Sequence, residues 1–384
     1  MGPQDQIDLL EEIDALGKTQ TFFMDETISR SPVERYTCSD RFDAEMNRIF
    51  RAMPVIAAHS SELPDPGSFI TLRLAGLPVL LTRDMTGQAN AFLNVCRHRG
   101  SRLVGEEQGC KKVFSCPYHG WTWDTAGTLR GIPHQEQGFP GLDTNAYGLK
   151  RLPVIERLGL IWVIADPAAG DTAQAEFERC LAPLETDFTW MAMDTLAIAH
   201  TTTQDRSANW KLLAEGGIEA YHFRVVHKRT IGPHFMDNLS SYQMLGPHMR
   251  SILPRTSVRD LHNRPRSQWS IREHANVLYT LMPMDQFLLM QDHIAWIHAD
   301  PVAADRTRLR VSTLVPAAQL TEARHDHWAR NHDLTCATLD EDFEVNEHAQ
   351  SGLTSGANDT LTFGRFESAL HAFNSAVEAR LKDY

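Results

Sequence analysis

The chain has 384 residues, enough for about two or three domains at roughly 150 residues each. Hydrophobic residues make up 42% of it and charged residues 22%, close to ordinary globular usage, which excludes a disordered, collagenous or coiled-coil protein. The 37 Lys and Arg residues against 49 Asp and Glu residues give a net charge of -12. An acidic chain of this kind is a poor partner for nucleic acid or an anionic membrane, and we expect neither.

The longest apolar run of note, residues 158–165, falls far short of the ~20 residues that cross a bilayer, so we expect no membrane span. Acidic residues such as Asp5 and Glu11 surround the first apolar positions, unlike the basic start of a secretory signal. We therefore expect a cytoplasmic protein. In that compartment the six cysteines are expected to be thiols or metal ligands rather than disulfides, and the 18 histidines are the other candidates for chemistry.

The predicted elements divide the chain into three segments. Residues 1–45 form a helical arm that packs on the C-terminal domain, residues 46–165 a small all-β domain, and residues 166–384 a larger α+β domain with a mainly antiparallel sheet and covering helices. In chain order, periodicity predicts helices at 4–16, 42–53, 173–184, 210–226, 320–332 and 366–381. It predicts strands at 69–74, 77–82, 91–95, 158–165, 195–202, 277–281, 287–291, 294–299 and 307–314.

Two mixed Cys/His pairs lie in the predicted β domain. Cys96 and His98 form the first pair, and Cys116 and His119 form the second, with seventeen residues between His98 and Cys116. Zinc modules usually pair like ligands, so that two cysteines or two histidines stand close together, whereas each pair here is mixed. The mixed arrangement suits a [2Fe-2S] cluster in which two Cys hold one iron and two His the other. A zinc site, or four unrelated buried residues, is the alternative.

The segments C-R-H-R-G and C-P-Y-H-G-W-T-W-D that carry these pairs resemble the Rieske domain of the aromatic-ring-hydroxylating, non-haem iron oxygenases. The resemblance implies that Cys96 and Cys116 ligate one iron of a Rieske [2Fe-2S] cluster and that His98 and His119 ligate the other. It also implies that a helix-grip-like catalytic domain follows, as the alpha, or terminal oxygenase, subunit of such a system.

A second group of candidate ligands lies in the helical stretch 210–226 and just beyond it. Glu219 and His222 are three residues apart, about 60° around an α-helix, and share a face. His222 and His227 are five apart, about 140°, and would point away from each other in a regular helix. If both bind one metal, the helix must widen or break between them, and we expect a π-bulge there. Two imidazoles leave room for one carboxylate and open positions, the facial triad of non-haem Fe(II) oxygenases.

The third ligand is expected in the acidic segment 340–353, which has the pattern D-x4-E-x2-Q. Spacing alone does not choose among Asp340, Glu341 and Asp342. The segment resembles the C-terminal segment of the family, in which the position matching the iron ligand is Asp342. The resemblance therefore implies a mononuclear Fe(II) held by the two histidines and Asp342.

The resemblance gives Glu219 the role of a bridge between the cluster of one subunit and the mononuclear iron of its neighbour. Electrons would pass through His119, Glu219 and His222, which implies a ring of subunits, and we expect a homotrimer. The sequence has no Gly-rich dinucleotide fingerprint. We therefore expect a separate reductase, with or without a ferredoxin, to bring electrons from NAD(P)H, with O2 as the co-substrate.

Two departures from the family pattern bear on the small-molecule substrate. The family usually has Asp at the position of Glu219, and Glu is similar to the group that oxidises quaternary-ammonium and N-methyl compounds. Gly216 stands where many members have Asn. We expect an aromatic substrate that is hydroxylated, dihydroxylated or demethylated, with a quaternary-ammonium or N-methyl compound as the alternative. A Rieske electron-transfer protein without oxygenase activity, and a zinc-binding module, are the alternatives from other classes.

Overall fold

The structure, a computed structural model, describes residues 1–19, 21–283 and 285–382, which form two compact units. One unit is Phe50–Glu178, and the other combines Met1–Ile49 with the chain from Arg179 onward. The domain boundaries expected after residues 45 and 165 stay a proposal, and residues 383 and 384 of the expected last domain lie outside the described residues.

The N-terminal segment is mainly helical, as expected. Its elements are α1 (Pro3–Thr19), β1 (Ser29–Pro32), α2 (Glu34–Thr37) and α3 (Ser39–Glu45), and a π-helical turn, Met46–Phe50, continues α3. The helix predicted at 42–53 therefore exists, but it begins and ends three residues earlier, at Ser39 and Phe50. Pro54 disfavours the helical conformation in the residue before it, and strand begins at Pro54 itself.

The Phe50–Glu178 unit consists of three antiparallel sheets. The strands are β2 (Pro54–His59), β3 (Ser68–Leu74), β4 (Leu77–Arg83), β5 (Ala89–Leu93), β6 (Gln108–Cys110), β7 (Val113–Ser115), β8 (Thr122–Asp124), β9 (Leu129–Gly131), β10 (Arg151–Leu152), β11 (Val154–Arg157) and β12 (Leu160–Ile164), followed or interrupted by α4 (Gln135–Gly138) and α5 (Thr172–Leu181). The sheet orders are β10-β5-β4-β3-β6, β11-β12-β2 and β7-β8-β9. The two-residue turn Ala75-Gly76, with φ of +48° and +80°, joins β3 to β4 as a hairpin.

The core of this unit surrounds the predicted cluster ligands. Phe69, Phe92 and Trp123 are buried in it, and Cys96 and Cys116 belong to the same buried cluster of side chains. Apolar packing around the two cysteines thus stabilises the loops that carry them.

The larger unit is built on one seven-stranded sheet. Its elements are α6 (Glu185–Trp190), β13 (Leu196–Arg206), α7 (Trp210–Ile218), β14 (Ser241–Leu245), β15 (His248–Pro254), α8 (Ile271–His274), β16 (Ala275–Leu281), β17 (Asp285–Leu289), β18 (Ile294–Ala303), β19 (Arg306–Pro316), α9 (His325–Leu353), β20 (Thr360–Phe363) and α10 (Ser368–Lys382). The strand order is β13-β19-β18-β17-β16-β15-β14, with every neighbouring pair antiparallel, and β20 pairs with β1. The expected α+β class with a mainly antiparallel sheet is confirmed.

Helix α9 differs from its prediction in a way that matters for the site. A helix was expected at 320–332, but α9 begins at His325 and runs for 29 residues to Leu353. The acidic segment 340–353 therefore belongs to the same rigid helix. No helix in the described ranges has the length and apolar character needed to cross a membrane.

Candidate metal centres

Two loops with the same backbone turn carry the Cys/His pairs. In the first, the Cys96 N–H bonds to Ser101 O at 2.8 Å and the Gly100 N–H bonds to Cys96 O at 2.9 Å. The second loop, 116–121, repeats both bonds at 2.8 and 3.0 Å. The glycine of each loop is left-handed, with φ of +76° and +72°, a conformation that favours glycine. The sequence repeats the turn because a glycine follows each cysteine by four residues.

Side chains of the two loops contact each other, His98 with His119 and Cys96 with Cys116. Cys96 and Cys116 are each 3% exposed, and burial raises the pKa of the Cys96 thiol. The rings of His98 and His119 have centroids 4.7 Å apart, and His98 stacks on Trp121 at 4.9 Å. Within the described part of the chain, His98 Nδ1 is buried and has no hydrogen-bond partner. A buried imidazole nitrogen without a partner, beside two thiols, fits a metal ligand.

The four Cys and His residues do not form a compact single-ion site in the described ranges. In the described ranges, the one set of three or more Cys, His, Asp and Glu side chains whose ligand atoms lie within 4.8 Å of one another is His222, His227 and Asp342. The Cys/His quartet is therefore spread more widely than the ligands of one tetrahedral zinc. This spread favours a binuclear cluster over zinc.

The helix that leads to the second centre is shorter than predicted. Helix α7 ends at Ile218, and Glu219 is extended, with φ of -107° and ψ of 158°. The predicted helix to 226 and the π-bulge are therefore wrong, because the helix ends before the first histidine rather than widening between the two. Gly216 and Gly217 weaken the last turn, and the Glu219 carboxylate accepts the backbone N–H groups of Tyr221 and His222, which competes with helical hydrogen bonding.

The irregular segment after α7 folds His222 and His227 onto α9. Their Nε2 atoms lie 3.3 Å apart. Asp342 Oδ1 lies 3.2 Å from the first Nε2 and 2.9 Å from the second. Three ligand atoms of the types preferred by a non-haem iron thus point at one place, and they come from only two segments of the chain.

The electrostatics of this set are those of a site that holds positive charge. Burial alone would lower the pKa of His222, but the carboxylates of Asp342 and Glu219 outweigh it and raise that pKa to about 10. Burial raises the pKa of Asp342, and the two histidines overcome this and lower it. A divalent cation would take the place of the ring protons at the Nε2 atoms.

Helix α9 separates the three acidic residues that spacing could not distinguish. Successive residues point about 100° apart around a helix. Asp340 pairs with Arg206, Glu341 Oε2 lies 2.7 Å from His227 Nδ1, and Asp342 faces both Nε2 atoms. The assignment of Asp342 as the third ligand stays a prediction, and the geometry places it best of the three.

Glu341 has a role that sequence reasoning missed. Its Oε2 accepts the Nδ1–H of His227 and, at 2.6 Å, the hydroxyl of Thr230. A carboxylate on the outer nitrogen fixes the tautomer that leaves Nε2 free for a metal. In the sequence, Glu341 is the acidic residue next to the predicted ligand Asp342, and its spacing presented it only as an alternative ligand.

Glu219 contacts the other histidine of the candidate site, His222. Its Oε1 contacts His222 Nδ1, so this ring is also oriented by a carboxylate. Two large apolar side chains of the same segment are exposed, Tyr221 at 55% and Val225 at 71%, and the exposed Arg224 lies between them in sequence.

Polar contacts fix α7 against α9. Gln350 Oε1 accepts the N–H of Asn209, the residue that caps α7, and its Nε2 donates to Tyr36 O.

One side of the centre is apolar, with the Phe223 ring 5.5 Å from that of His227 and 5.6 Å from that of Phe235. Sequence reasoning named neither phenylalanine.

The chain matches two protein families. Residues 53–153 match the Rieske [2Fe-2S] domain, and residues 193–383 match the catalytic domain of the ring hydroxylating alpha subunit. Each match contains one of the two candidate centres. The Rieske cluster and the mononuclear iron expected from the sequence are the cofactors that these domains imply, and both sets of residues fit them.

Curated relatives include two kinds of oxygenase. The chain is 37% identical over 199 residues to the glycine betaine monooxygenase oxygenase subunit of Pseudomonas aeruginosa (strain UCBPP-PA14), covering 51% of this chain and 44% of that protein. It is 36% identical over 148 residues to the biphenyl 2,3-dioxygenase subunit alpha of Rhodococcus jostii (strain RHA1), covering 38% and 32%. The chain thus spans less than half the length of these relatives.

Solved structures share the fold over nearly the whole chain. The quaternary ammonium Rieske monooxygenase CntA matches with a TM-score of 0.77 at 22% identity, covering 97% of this chain and 98% of the other. Naphthalene 1,2-dioxygenase from Rhodococcus sp. matches with a TM-score of 0.75 at 18% identity, covering 98% of both chains. At these identities the likeness shows a shared fold alone.

Proposed function

Because the chain belongs to the Rieske oxygenase alpha-subunit family, we propose that it is the terminal oxygenase of a multicomponent system. In a hydroxylation or demethylation, a carbon–hydrogen bond of the substrate would gain one oxygen atom of O2 and the other oxygen atom would leave as water, with two electrons and two protons supplied from outside. In a dihydroxylation, both oxygen atoms would enter the substrate with the same two electrons and two protons. The observation that carries this proposal is the convergence of His222 Nε2, His227 Nε2 and Asp342 Oδ1 within 3.3 Å of one another.

The residues divide the work between two centres. Cys96, Cys116, His98 and His119 would hold the cluster, and the three converging side chains would hold the mononuclear iron. When bound, these groups supply one-electron transfer and the activation of O2. Glu341 orients one iron ligand. Glu219 orients the other and remains near the surface, where its carboxylate would link to His119 of the partner subunit, so that the electron path crosses between subunits.

For the substrate class we propose a quaternary-ammonium or N-methyl compound. Glu at position 219 favours it, and so does the name of the glycine betaine relative. Hydroxylation of an N-methyl carbon gives a product that releases formaldehyde, which amounts to demethylation. Aromatic rings such as Phe223 and Phe235, which lie beside the candidate iron site, are the kind of π-surface that an ammonium group binds.

An aromatic substrate is the second candidate, and the apolar side of the centre favours it. Phe223 and Phe235 pack with Leu253 and Leu278 in one buried cluster, and these side chains carry no charge. The biphenyl dioxygenase relative belongs to this class by name. The same phenylalanines suit an aromatic ring, so the two classes must be separated by turnover.

The partners and assembly are part of the proposal. A reductase, with or without a ferredoxin, would dock on the cluster unit, where exposed cations stand beside the predicted ligands: Arg97, Arg99, Arg102, Lys111 and Lys112. A homotrimer would cover the exposed Tyr221 and Val225 next to Glu219. A cytoplasmic location completes the proposal.

Metal analysis with EPR of the reduced protein tests the oxygenase. We expect two cluster irons and one mononuclear iron per chain, with the EPR signal of a His-ligated cluster. Cluster iron without mononuclear iron would identify an electron-transfer protein, and a colourless zinc protein would refute the cluster. Peroxide-driven turnover with glycine betaine and with biphenyl, scored by product, then decides between the substrate classes.

A further inference from the structure

Helices α7 and α9 meet along one row of side chains. Gln350, Asn346 and Asp342 are spaced four residues apart and therefore share a face of α9. Gln350 contacts the N-cap of α7, Asn346 contacts Gly216 near its end, and Asp342 contacts the histidines that follow it. Asn346 is thus the side chain of α9 next to the iron ligand, on the side facing α7.

The amide of Asn346 packs closely against Gly216. A Cβ placed on Gly216 would lie 2.9 Å from Asn346 Nδ2, closer than such atoms approach in proteins. Within the described residues, this Nδ2 is buried and has no hydrogen-bond partner. An unsatisfied buried donor is costly, and one in a native structure calls for a partner that completes the site.

A neighbouring amide provides the contrast. Gln286 approaches the next glycine, Gly217, where a Cβ would lie 3.1 Å from its Nε2. That Nε2 donates to Ala214 O at 3.0 Å and to Thr280 Oγ1 at 3.2 Å. Both amides fill space left by a glycine, but only the one beside Asp342 keeps an unused donor.

We propose, on the basis of the function proposed above, that Asn346 is a positioning residue of the iron site. Its Nδ2 donates a hydrogen bond to the small molecule that occupies the iron positions left open by the protein. Gly216 and Asn346 form one functional pair, in which glycine at one position makes room for the amide at the other.

Nitric oxide, a diatomic probe of ferrous iron, tests the donor in the metal-loaded protein. In Asn346→Ala, we expect the mononuclear iron content to stay unchanged and the affinity for nitric oxide, followed by EPR of the nitrosyl, to fall roughly tenfold for one lost hydrogen bond. The control is Asn331→Ala on the same helix, roughly 22 Å away along its axis, which should leave the nitrosyl unchanged. An effect seen only when glycine betaine is added would identify a substrate oxygen as the acceptor instead of the diatomic ligand.

The pairing is tested by exchange. Gly216→Ala should displace the amide and reproduce the nitrosyl change of Asn346→Ala, and the double variant should be no worse than either single variant. Gly216→Asn combined with Asn346→Gly should restore the wild-type signal. If Gly216→Ala does not fold, Asn346→Ala decides alone, because it removes atoms and creates no clash.

Two outcomes overturn the inference. One is a wild-type nitrosyl spectrum and affinity in Asn346→Ala, with and without glycine betaine. The other is independent, additive effects of the two single variants. A wild-type protein that holds no mononuclear iron would instead refute the proposed function, so the two failures are distinguishable.

Discussion

Replacing Glu341 tests whether it orients His227 or binds the metal itself. In the structure its Oε2 lies 2.7 Å from His227 Nδ1, on a ring that is only 1% exposed. Glu341→Ala leaves that N–H buried without its acceptor, whereas Glu341→Gln keeps a neutral acceptor and loses the charge. Both variants should bind iron more weakly, with the alanine variant the weaker.

The magnitude follows from the hydrogen bond that is lost. A hydrogen bond to a charged group contributes about 1.5–3 kcal/mol. Roughly 1.4 kcal/mol corresponds to a tenfold change in a dissociation constant, so the iron affinity of Glu341→Ala should fall about 10- to 150-fold. This range agrees with the 10- to 100-fold losses, as an order of magnitude, that follow removal of partners behind metal ligands.

The assay is titration of the apo mononuclear site with ferrous iron in protein whose cluster is intact. Glu344→Gln, an exposed residue on the same helix with the same change of charge, is the matched control and should bind iron like the wild type. An iron affinity of Glu341→Ala within twofold of the wild type would refute the orienting role. Complete loss of iron would show that Glu341, rather than Asp342, is the third ligand.

Three further predictions address the bridge, the third ligand and the fold. Glu219→Gln should retain cluster and mononuclear iron but slow turnover with reductase at least roughly tenfold, because the charged link between the carboxylate and His222 is weakened. Stopped-flow reoxidation of the cluster measures the rate of electron transfer, and an unchanged rate would exclude Glu219 as the bridge. Asp342→Ala should lose the mononuclear iron and keep the cluster spectrum, as shown by metal analysis beside EPR; full iron occupancy would reassign the ligand. Burial raises the pKa of Glu215 from 4.5 to about 7, so the folded state holds this proton more tightly, and the stability it provides is present below pH 4.5 and lost as the pH rises towards 7. Between pH 5 and pH 8, the free energy of unfolding of Glu215→Gln in urea should therefore rise relative to that of the wild type, by up to roughly 3 kcal/mol. If the two proteins show parallel profiles of stability against pH, the Glu215 carboxyl does not titrate in this range.

Local sequence determined the cluster unit to a large extent. The Cys/His pairs and their glycines lie within short loops, and the chemistry of mixed pairs points to a binuclear cluster without any long-range information. The short β-like runs there are separated by turn residues, and the hairpin glycine at position 76 marks one of these turns. Where ligands lie close in sequence and each turn is specified by its own residues, the pattern predicts the site.

The second centre depended on tertiary structure. Spacing on a helix predicted that His222 and His227 need a bulge, but Glu219 ends the helix by binding two backbone N–H groups, a competition that periodicity does not reveal. The division of labour among Asp340, Glu341 and Asp342 depends on which neighbour each meets around α9. Neither Asn346 nor Gly216 signals its partner locally, since their pairing exists only where two helices distant in sequence pack together. The sequence by itself therefore named the ligand types and their chemistry, while the packing of α7 against α9 decided which side chains converge at the candidate iron site.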